Sequence, residues 1–314
     1  MSGVTAVAIV GPTAAGKSEI ALALAAEVGG EIVSADSRQV YRYLDIGTAK
    51  PSPNERASVP HHLLDVVDPD AAFDAARYRE LAHTAVEAIQ ARGRPAIICG
   101  GTGLYLRVLL RGLFRGPARS PALRARLHAL EERDGPGTLH RLLTATDPAA
   151  AAHLHRHDLL RVVRALEVFE LTGRPISAWQ AEHRFGDRGV RALVLGCARS
   201  REELAVRIEA RCRAMLAAGL LDEIRDLWAR GYGPELPPLQ SVGYREMGAY
   251  LRDECDRASA FDAFVRATRR LAKRQRAWFG AEPAILWFHP DRERTVLLTR
   301  AAACLERPWP SPST

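Results

Sequence analysis

Aromatic residues are scarce in this 314-residue chain, at 6%, and no apolar stretch is long. The run from Val4 to Val10 falls far short of the roughly 20 residues that a spanning helix needs, so no membrane association is expected. Met1 to Thr5 carries none of the charge that precedes a secretory signal, and a cytoplasmic location is the expectation. The five cysteines (Cys99, Cys197, Cys212, Cys255, Cys304) are odd in number and form no C-x-x-C pair. That argues against a disulfide framework and a cysteine zinc site, and reduced, mostly buried thiols are expected. Asn54 is the sole asparagine, which removes the N-K-x-D base-recognition motif of a GTPase. There is no internal repeat.

What is present is an ordinary globular composition, 47% hydrophobic, enough to bury a sizeable core in one large or two smaller domains. The net charge of +7 is uneven: residues 1–100 hold 9 Lys+Arg against 12 Asp+Glu, and the remainder holds 35 against 25. A basic surplus confined to one part of a chain points to a polyanion, nucleic acid before anionic membrane. An arginine-rich composition of a high-GC genome would produce the same imbalance.

Val4 to Val10 is a β-branched apolar run that stops at Gly11, and Ser18 to Val28 reads as an alanine-rich helix. Further short apolar runs at 31–34, 63–67, 96–99 and 190–195 alternate with helical segments, notably 73–92, in the βαβ pattern of a parallel sheet. The stretch 117–189 is rich in Ala, Leu, Arg and His at helical spacing, lacks a convincing strand, and is bounded by Gly112, Gly116 and Pro117 and by Gly186 and Gly189. The expected organisation is a P-loop NTPase-like α/β core begun by residues 1–116, a helical insertion over 117–189, and a core continuation with basic C-terminal helices over 190–314. Ser200 and Glu203 fit a capping box opening a helix toward Ala217, another helix runs from about Ser259 to Phe279, and the tail from Pro308 is expected to fray.

Gly11, Pro12, Thr13, Ala14, Ala15, Gly16, Lys17 and Ser18 match G-x-x-x-x-G-K-[ST] between strand and helix, the context that this motif requires. Its glycines let backbone N–H groups approach phosphate, the helix N-terminus adds a favourable dipole, Lys17 supplies charge, and Ser18 can ligate Mg2+. The motif identifies a phosphate chain and leaves its carrier open. Kinases and NTPases are the usual owners. An ATPase, however, wants an aspartate ending an apolar strand, and Ile97–Ile98 runs instead into Cys99, Gly100, Gly101 and Thr102. At the carboxyl ends of strands, Asp36 and Thr102 can face the phosphate loop. Asp36 can equally cap a helix or stand near a magnesium ion, and Thr102 can be a turn hydroxyl.

Six blocks occur in order: 11–18; Asp36-Ser37-Arg38-Gln39-Val40-Tyr41; 45–51; 100–105; Val242-Gly243-Tyr244-Arg245; and Lys273-Arg274-Gln275. Together, from about Val7 to Trp278, they resemble the tRNA dimethylallyltransferase family. The chain departs at Ala277, where the family commonly has Thr, and at Gly280. The resemblance implies transfer of a prenyl group from dimethylallyl diphosphate to the N6 amine of adenosine 37, in a tRNA anticodon stem-loop. Lys17, Ser18, Arg211 and Mg2+ would then receive the leaving diphosphate, with Asp36 as the base and Thr102 beside the reacting groups. It further implies tRNA contacts at Ser37, Arg38, Gln39, Arg124, Arg161, Arg164, the segment Gln240-Ser241-Val242-Gly243-Tyr244-Arg245, and Lys273, Arg274 and Gln275. Arg124 is also a candidate phosphate contact, and a monomer is expected.

From Arg266 to Arg276 there are six Lys/Arg and no acid, opposite an apolar stripe that includes Phe261, Phe264 and Leu271. One face would pack and the other meet RNA phosphate, or simply water. His61-His62 and His153, His155 and His157 lack metal-ligand spacing and read as structural or surface residues. Two other functions stay in view, a small-molecule or nucleotide kinase and a non-catalytic RNA-binding module. ATP consumption would mark the first; intact Lys17, Ser18 and Asp36 weigh against the second.

Overall fold

The computed structural model describes residues 6–112, 116–183 and 189–305. The expectations for Met1 to Thr5, for Gly186 and for the tail from Pro308 fall outside these residues. The chain divides into two compact units, one formed by residues 1–110 and 190–314, the other by residues 111–189.

The first unit is built on a six-stranded parallel sheet. In chain order its strands are β1 (Ala6–Val10), β2 (Glu31–Ser34), β3 (His61–His62), β4 (Ala96–Gly100), β5 (Ala192–Cys197) and β6 (Leu286–Phe288). Their order across the sheet is β3-β2-β4-β1-β5-β6. Every residue of β1 is buried, which is why it is an unbroken apolar run and not an alternating one: helices cover both faces of a parallel sheet. Its partners are in flush register, Ala6 opposite both Ala96 and Ala192. Because β2, β4 and β1 are neighbours, the loops that leave their carboxyl ends emerge side by side. These are the loops that hold Asp36, Thr102 and the phosphate motif.

Helix α1 (Lys17–Val28) follows β1, with glycine in the left-handed region at both ends, Gly16 (φ 97°) and Gly29 (φ 63°). The helix read at 73–92 is α3 (Ala75–Ala91), following the short α2 (Pro53–Ser58); its N-terminal N–H groups are capped by Asp74. Helix α4 (Gly103–Arg111) leaves β4 directly.

Residues 63–67, expected as a strand, are not one. Leu63 and Asp65 hold φ of 63° and 56°, and left-handed residues break an extended backbone. Only His61–His62 pairs with β2, and Val67 makes an isolated bridge to Tyr41. Short β6 and the following α14 (Arg294–Leu305) were not anticipated. The remaining helices of this unit are α10 (Arg201–Ala217), α11 (Leu220–Ala229), α12 (Tyr244–Leu251) and α13 (Arg257–Gly280). The capping box forms as read, the Ser200 hydroxyl accepting from Glu203 N–H and the Glu203 carboxylate accepting from Ser200 N–H.

The second unit is helical throughout its described residues: α5 (Pro121–Asp134), α6 (Thr138–Thr146), α7 (Pro148–Ala151), α8 (Leu159–Thr172) and α9 (Ile176–His183). Leu127, Leu139, Leu143, Val162 and Leu166 form its core. Beside that core lies a fully buried carboxylate, Glu167. It accepts from both the Nε and a terminal nitrogen of Arg124 (2.8 and 2.7 Å), from Arg164 (2.6 Å) and from the N–H of Ser120 (2.8 Å). A buried charge survives only when so fully partnered.

Burial alone would raise the Glu167 pKa, but the hydrogen bonds from Arg124 and Arg164 win and hold it at about 2. A folded-state value below the unfolded value contributes stability that is complete above pH 4.5 and is lost as pH falls from there toward 2. The helical unit should therefore lose roughly 2 kcal/mol across that window, and Glu167→Gln should flatten the loss. Hydrogen exchange of α5 and α8 amides between pH 5 and 2.5 checks this; a wild-type pH dependence retained in the variant contradicts it.

Candidate active site

A cavity of about 690 Å³ opens at the carboxyl edge of the sheet in the first unit. Thr13, Lys17 and Ser18 form one wall and Asp36 to Gln39 another; Gly100 to Thr102 and Arg211 complete its deep part. The loop between β1 and α1 is shaped by three left-handed residues, Gly11 (φ 138°), Ala14 (φ 63°) and Gly16 (φ 97°). A Cβ on Gly11 would sit 2.8 Å from the Cys197 carbonyl oxygen, so only glycine lets the loop leave β1 against β5. The Lys17 ammonium donates to the Pro12 carbonyl (2.7 Å), and burial pulls its pKa below the usual lysine value. Arg211 also lines the cavity, and burial lowers its pKa, opposed by the Asp36 charge. Its side chain has no hydrogen bond or ion pair among the described residues. Two cations with incomplete anion pairing, beside a helix N-terminus, make an anion site.

Opposite them, Asp36 is oriented by its own loop. One carboxylate oxygen accepts from the N–H of Arg38 (2.8 Å) and more weakly of Gln39 (3.4 Å); its other oxygen has no partner among the described residues. The turn-capping reading of Asp36 and the functional one thus coexist on two oxygens of one carboxylate. The Thr102 hydroxyl accepts from the Ser37 N–H (3.0 Å), which leaves its proton free to be donated. Thr102 N–H in turn donates to the Ala35 carbonyl (3.1 Å), locking the β4 loop to the β2 loop. Gly100 must be glycine there, since its Cβ would fall 2.2 Å from Ala35 oxygen.

The segment 45–50 closes the outer part of the cavity and is held by charges. Glu223, on α11, accepts from the N–H groups of Asp45, Ile46 and Gly47 (2.9, 2.6 and 3.1 Å) and from the Tyr244 hydroxyl (2.6 Å). The Lys50 ammonium, almost wholly buried, bonds to Tyr41 oxygen, Asp45 and Asp65. Gln39, predicted to meet RNA, has its amide engaged inside the protein: its oxygen accepts from Ser34 and its nitrogen donates to the carbonyls of Thr48 and Ala49. Tyr244 is 2% exposed and acts through Glu223, not at the surface.

Of the other predicted contacts, Gln240, Ser241, Val242, Arg245, Arg274 and Gln275 line the cavity, while Gly243 and Lys273 do not. Arg245 pairs with Glu246. Gln275 is a bridge: its side-chain oxygen accepts from Thr13 N–H (2.8 Å) and its amide nitrogen donates to Gly101 oxygen (3.0 Å). Helix α13 thereby ties the phosphate loop to the β4 loop. Arg124, Arg161 and Arg164 belong to the helical unit. Arg124 and Arg164 serve Glu167, and Arg161 is 61% exposed beside Asp158. No group of three His, Cys, Asp or Glu is arranged to hold a metal ion among the described residues. His61 binds the Val59 carbonyl, and His62 pairs with Glu31. Cys99 and Cys197 near Lys17 are free thiols pushed up to about 12 and about 11 by burial, hence unreactive at neutral pH.

The family model "IPP transferase" matches residues 39–282. The chain is 49% identical to tRNA dimethylallyltransferase 2 of Syntrophus aciditrophicus, over 93% of this chain and 94% of that protein. It is 49% identical to the tRNA dimethylallyltransferase of Anaeromyxobacter dehalogenans, over 94% and 98%. Among solved structures it matches the full-length tRNA isopentenylpyrophosphate transferase of Bacillus halodurans, with TM-score 0.71, 36% identity and coverage of 98% and 97%. A eukaryotic dimethylallyltransferase acting on tRNA matches with TM-score 0.79, 28% identity and coverage of 96% and 78%.

The Gln275 bridge predicts that Gln275→Ala, which strands Thr13 N–H and Gly101 C=O, lowers unfolding free energy by about 1–3 kcal/mol. Urea denaturation should show it, with Gln275→Glu losing less at the Thr13 end because its acceptor remains. An unchanged midpoint in Gln275→Ala would mean that the bridge contributes nothing.

Proposed function

The chain belongs to the tRNA dimethylallyltransferase family, and on that premise we propose how its cavity carries out prenyl transfer to the N6 amine of adenosine 37. The observation that carries the reading is the pairing, within one cavity, of a phosphate loop with an oriented carboxylate whose second oxygen is free. The kinase alternative is not favoured: relatives and structural neighbours alike are prenyltransferases acting on tRNA.

Dimethylallyl diphosphate enters with its diphosphate on Gly11 to Ser18. The adenine amine is a weak nucleophile because its lone pair is delocalised into the ring. As it attacks the allylic carbon, the C–N bond forms, the C–O bond to diphosphate breaks, and Asp36 takes the amine proton. Lys17 and Arg211 meet the negative charge that grows on the departing oxygens, in a site where pre-aimed charges are worth more than in water. Thr102, its proton free, donates to the diphosphate or orients the amine.

The donor set fits magnesium: the Ser18 hydroxyl offers a hard oxygen ligand beside the phosphate loop, and this ion is usually held by one or two protein oxygens plus substrate phosphates. When bound, it supplies charge neutralisation on the leaving group.

The target base must leave the stacked anticodon loop, and enzymes that act on bases extrude them into such pockets. At the rim, the Arg38, Arg270 and Arg274 side chains have no partner among the described residues and would receive neighbouring nucleotides, beside Gln240 and Arg245, which are already bonded to the Pro234 carbonyl and to Glu246. Arg124 and Arg164 both pair with Glu167, so an RNA contact at either would be made by a guanidinium already engaged.

Asp36→Asn should lower kcat by about 10² to 10⁴ with tRNA affinity little changed, because amide cannot accept the proton. Raising Mg2+ should not restore the rate. Near wild-type kcat at saturating substrates removes the base assignment, and rescue by Mg2+ reassigns Asp36 to the metal.

Helix α13 gives a separate expectation. Neutralising Lys273 and Arg274 together should flatten the dependence of log K on log salt for tRNA by about one unit per lost phosphate contact. An unchanged slope would show that this face meets water.

A further inference from the structure

Two arginines that no sequence motif marks stand behind the phosphate loop. Arg199 follows β5 and is almost wholly buried; its Nε donates to the Ala15 carbonyl (3.1 Å). Its two terminal nitrogens are both clamped on Asp291, at 2.6 Å each. Arg207, one residue before Ile208 in α10, donates from Nε to the Ala14 carbonyl (2.9 Å) and from a terminal nitrogen to Glu19 in the first turn of α1 (3.2 Å). Neither arginine lines the cavity. Consecutive carbonyls of the loop are therefore each fixed by a guanidinium on the side away from the ligand.

The peptide plane makes this consequential. In a trans peptide the C=O of one residue and the N–H of the next point in opposite directions. Holding the Ala15 carbonyl from behind holds the Gly16 N–H forward, and that N–H has no protein acceptor among the described residues. Holding the Ala14 carbonyl supports Ala14 itself, a non-glycine residue at φ 63°, and the Ala15 N–H that closes a turn onto Pro12 oxygen (3.3 Å). Each cation also has its own carboxylate, so the pairs add geometry more than net charge. Asp291 in turn is set by the chain just after β6, where Pro290 packs against Gly16.

We propose that Arg199 and Arg207 are positioning residues that hold the phosphate loop in its anion-binding form, with Asp291 fixing Arg199. This role rests on the reading of that loop as the diphosphate site. It makes the sheet edge at β5 and β6, distant from Asp36 in sequence, part of donor recognition and not of tRNA recognition.

The test uses the full-length protein and inorganic pyrophosphate with Mg2+ as the probe, by calorimetry, beside the Kd for an anticodon stem-loop and steady-state kinetics. Arg207→Gln changes a side chain 37% exposed and should fold; Asp291→Asn never touches the loop. Both should weaken pyrophosphate binding and raise the KM for dimethylallyl diphosphate about tenfold, the worth of one fixed hydrogen bond. The stem-loop Kd should stay within about twofold of wild type, and Arg207→Lys should recover part of the loss. Pyrophosphate affinity unchanged in both variants, while Lys17→Ala abolishes it, overturns the positioning role and leaves the diphosphate site standing. Equal losses of pyrophosphate and stem-loop affinity overturn it too, since they report a general defect. Pyrophosphate bound as well by Lys17→Ala as by wild type removes the diphosphate reading and this role with it.

Discussion

A loop that offers its N–H groups to a polyphosphate must turn its carbonyls elsewhere, and those carbonyls must find donors. The rest of this site follows from that requirement. Left-handed residues at Gly11, Ala14 and Gly16 bend the backbone, and the absence of a side chain at Gly11 lets it clear β5. Lys17, Arg199 and Arg207 take up the carbonyls of Pro12, Ala15 and Ala14 in turn. Gln275 occupies the Thr13 N–H and draws α13 down onto the β4 loop. A 24-residue helix whose outer face is basic is thus anchored to the loop proposed to receive the leaving group.

The sheet order does the remaining work of assembly. With β2, β4 and β1 adjacent, the Asp36 loop, the Thr102 loop and the phosphate loop are consecutive along one edge. The first two are cross-linked by short hydrogen bonds, Thr102 N–H to the Ala35 oxygen and Ser37 N–H to the Thr102 hydroxyl, and Gln275 joins the third to the second. Such rigidity suits the proposed reaction, in which a carboxylate and a diphosphate cradle would flank one carbon, because misplacement there is costly in rate. The wall at 45–50 is held differently, by hydrogen bonds from its backbone to the Glu223 carboxylate and by the ion pairs of the buried Lys50 ammonium.

Local patterns carried much of this into the sequence. Gly11 to Ser18, the capping box at Ser200 and Glu203, and the apolar run of β1 are each readable within a dozen residues, because backbone sterics and capping are local. Residues 63–67 read as a strand because nothing in their composition signals that Leu63 and Asp65 adopt positive φ. Strand β6 is three residues long and offers no period to detect. The partners that matter most to the loop lie far off in the chain: Gln275 and Thr13 are 262 residues apart, Arg199 and Ala15 184. No spacing rule reaches that distance. For the same reason the arginine-rich insertion reads as an RNA surface, although the buried Glu167 that claims Arg124 and Arg164 is visible only once the helices pack.

The central claim is that this phosphate loop binds a leaving diphosphate and hydrolyses no nucleotide. The direct measurement is a reaction of the purified protein with unmodified tRNA, dimethylallyl diphosphate and Mg2+, free of nucleoside triphosphate, following diphosphate release and prenylated adenosine by mass spectrometry. The account predicts turnover without ATP, with one diphosphate released for each prenylated adenosine. Turnover that begins only when ATP is added, with phosphate liberated from it, would contradict the account.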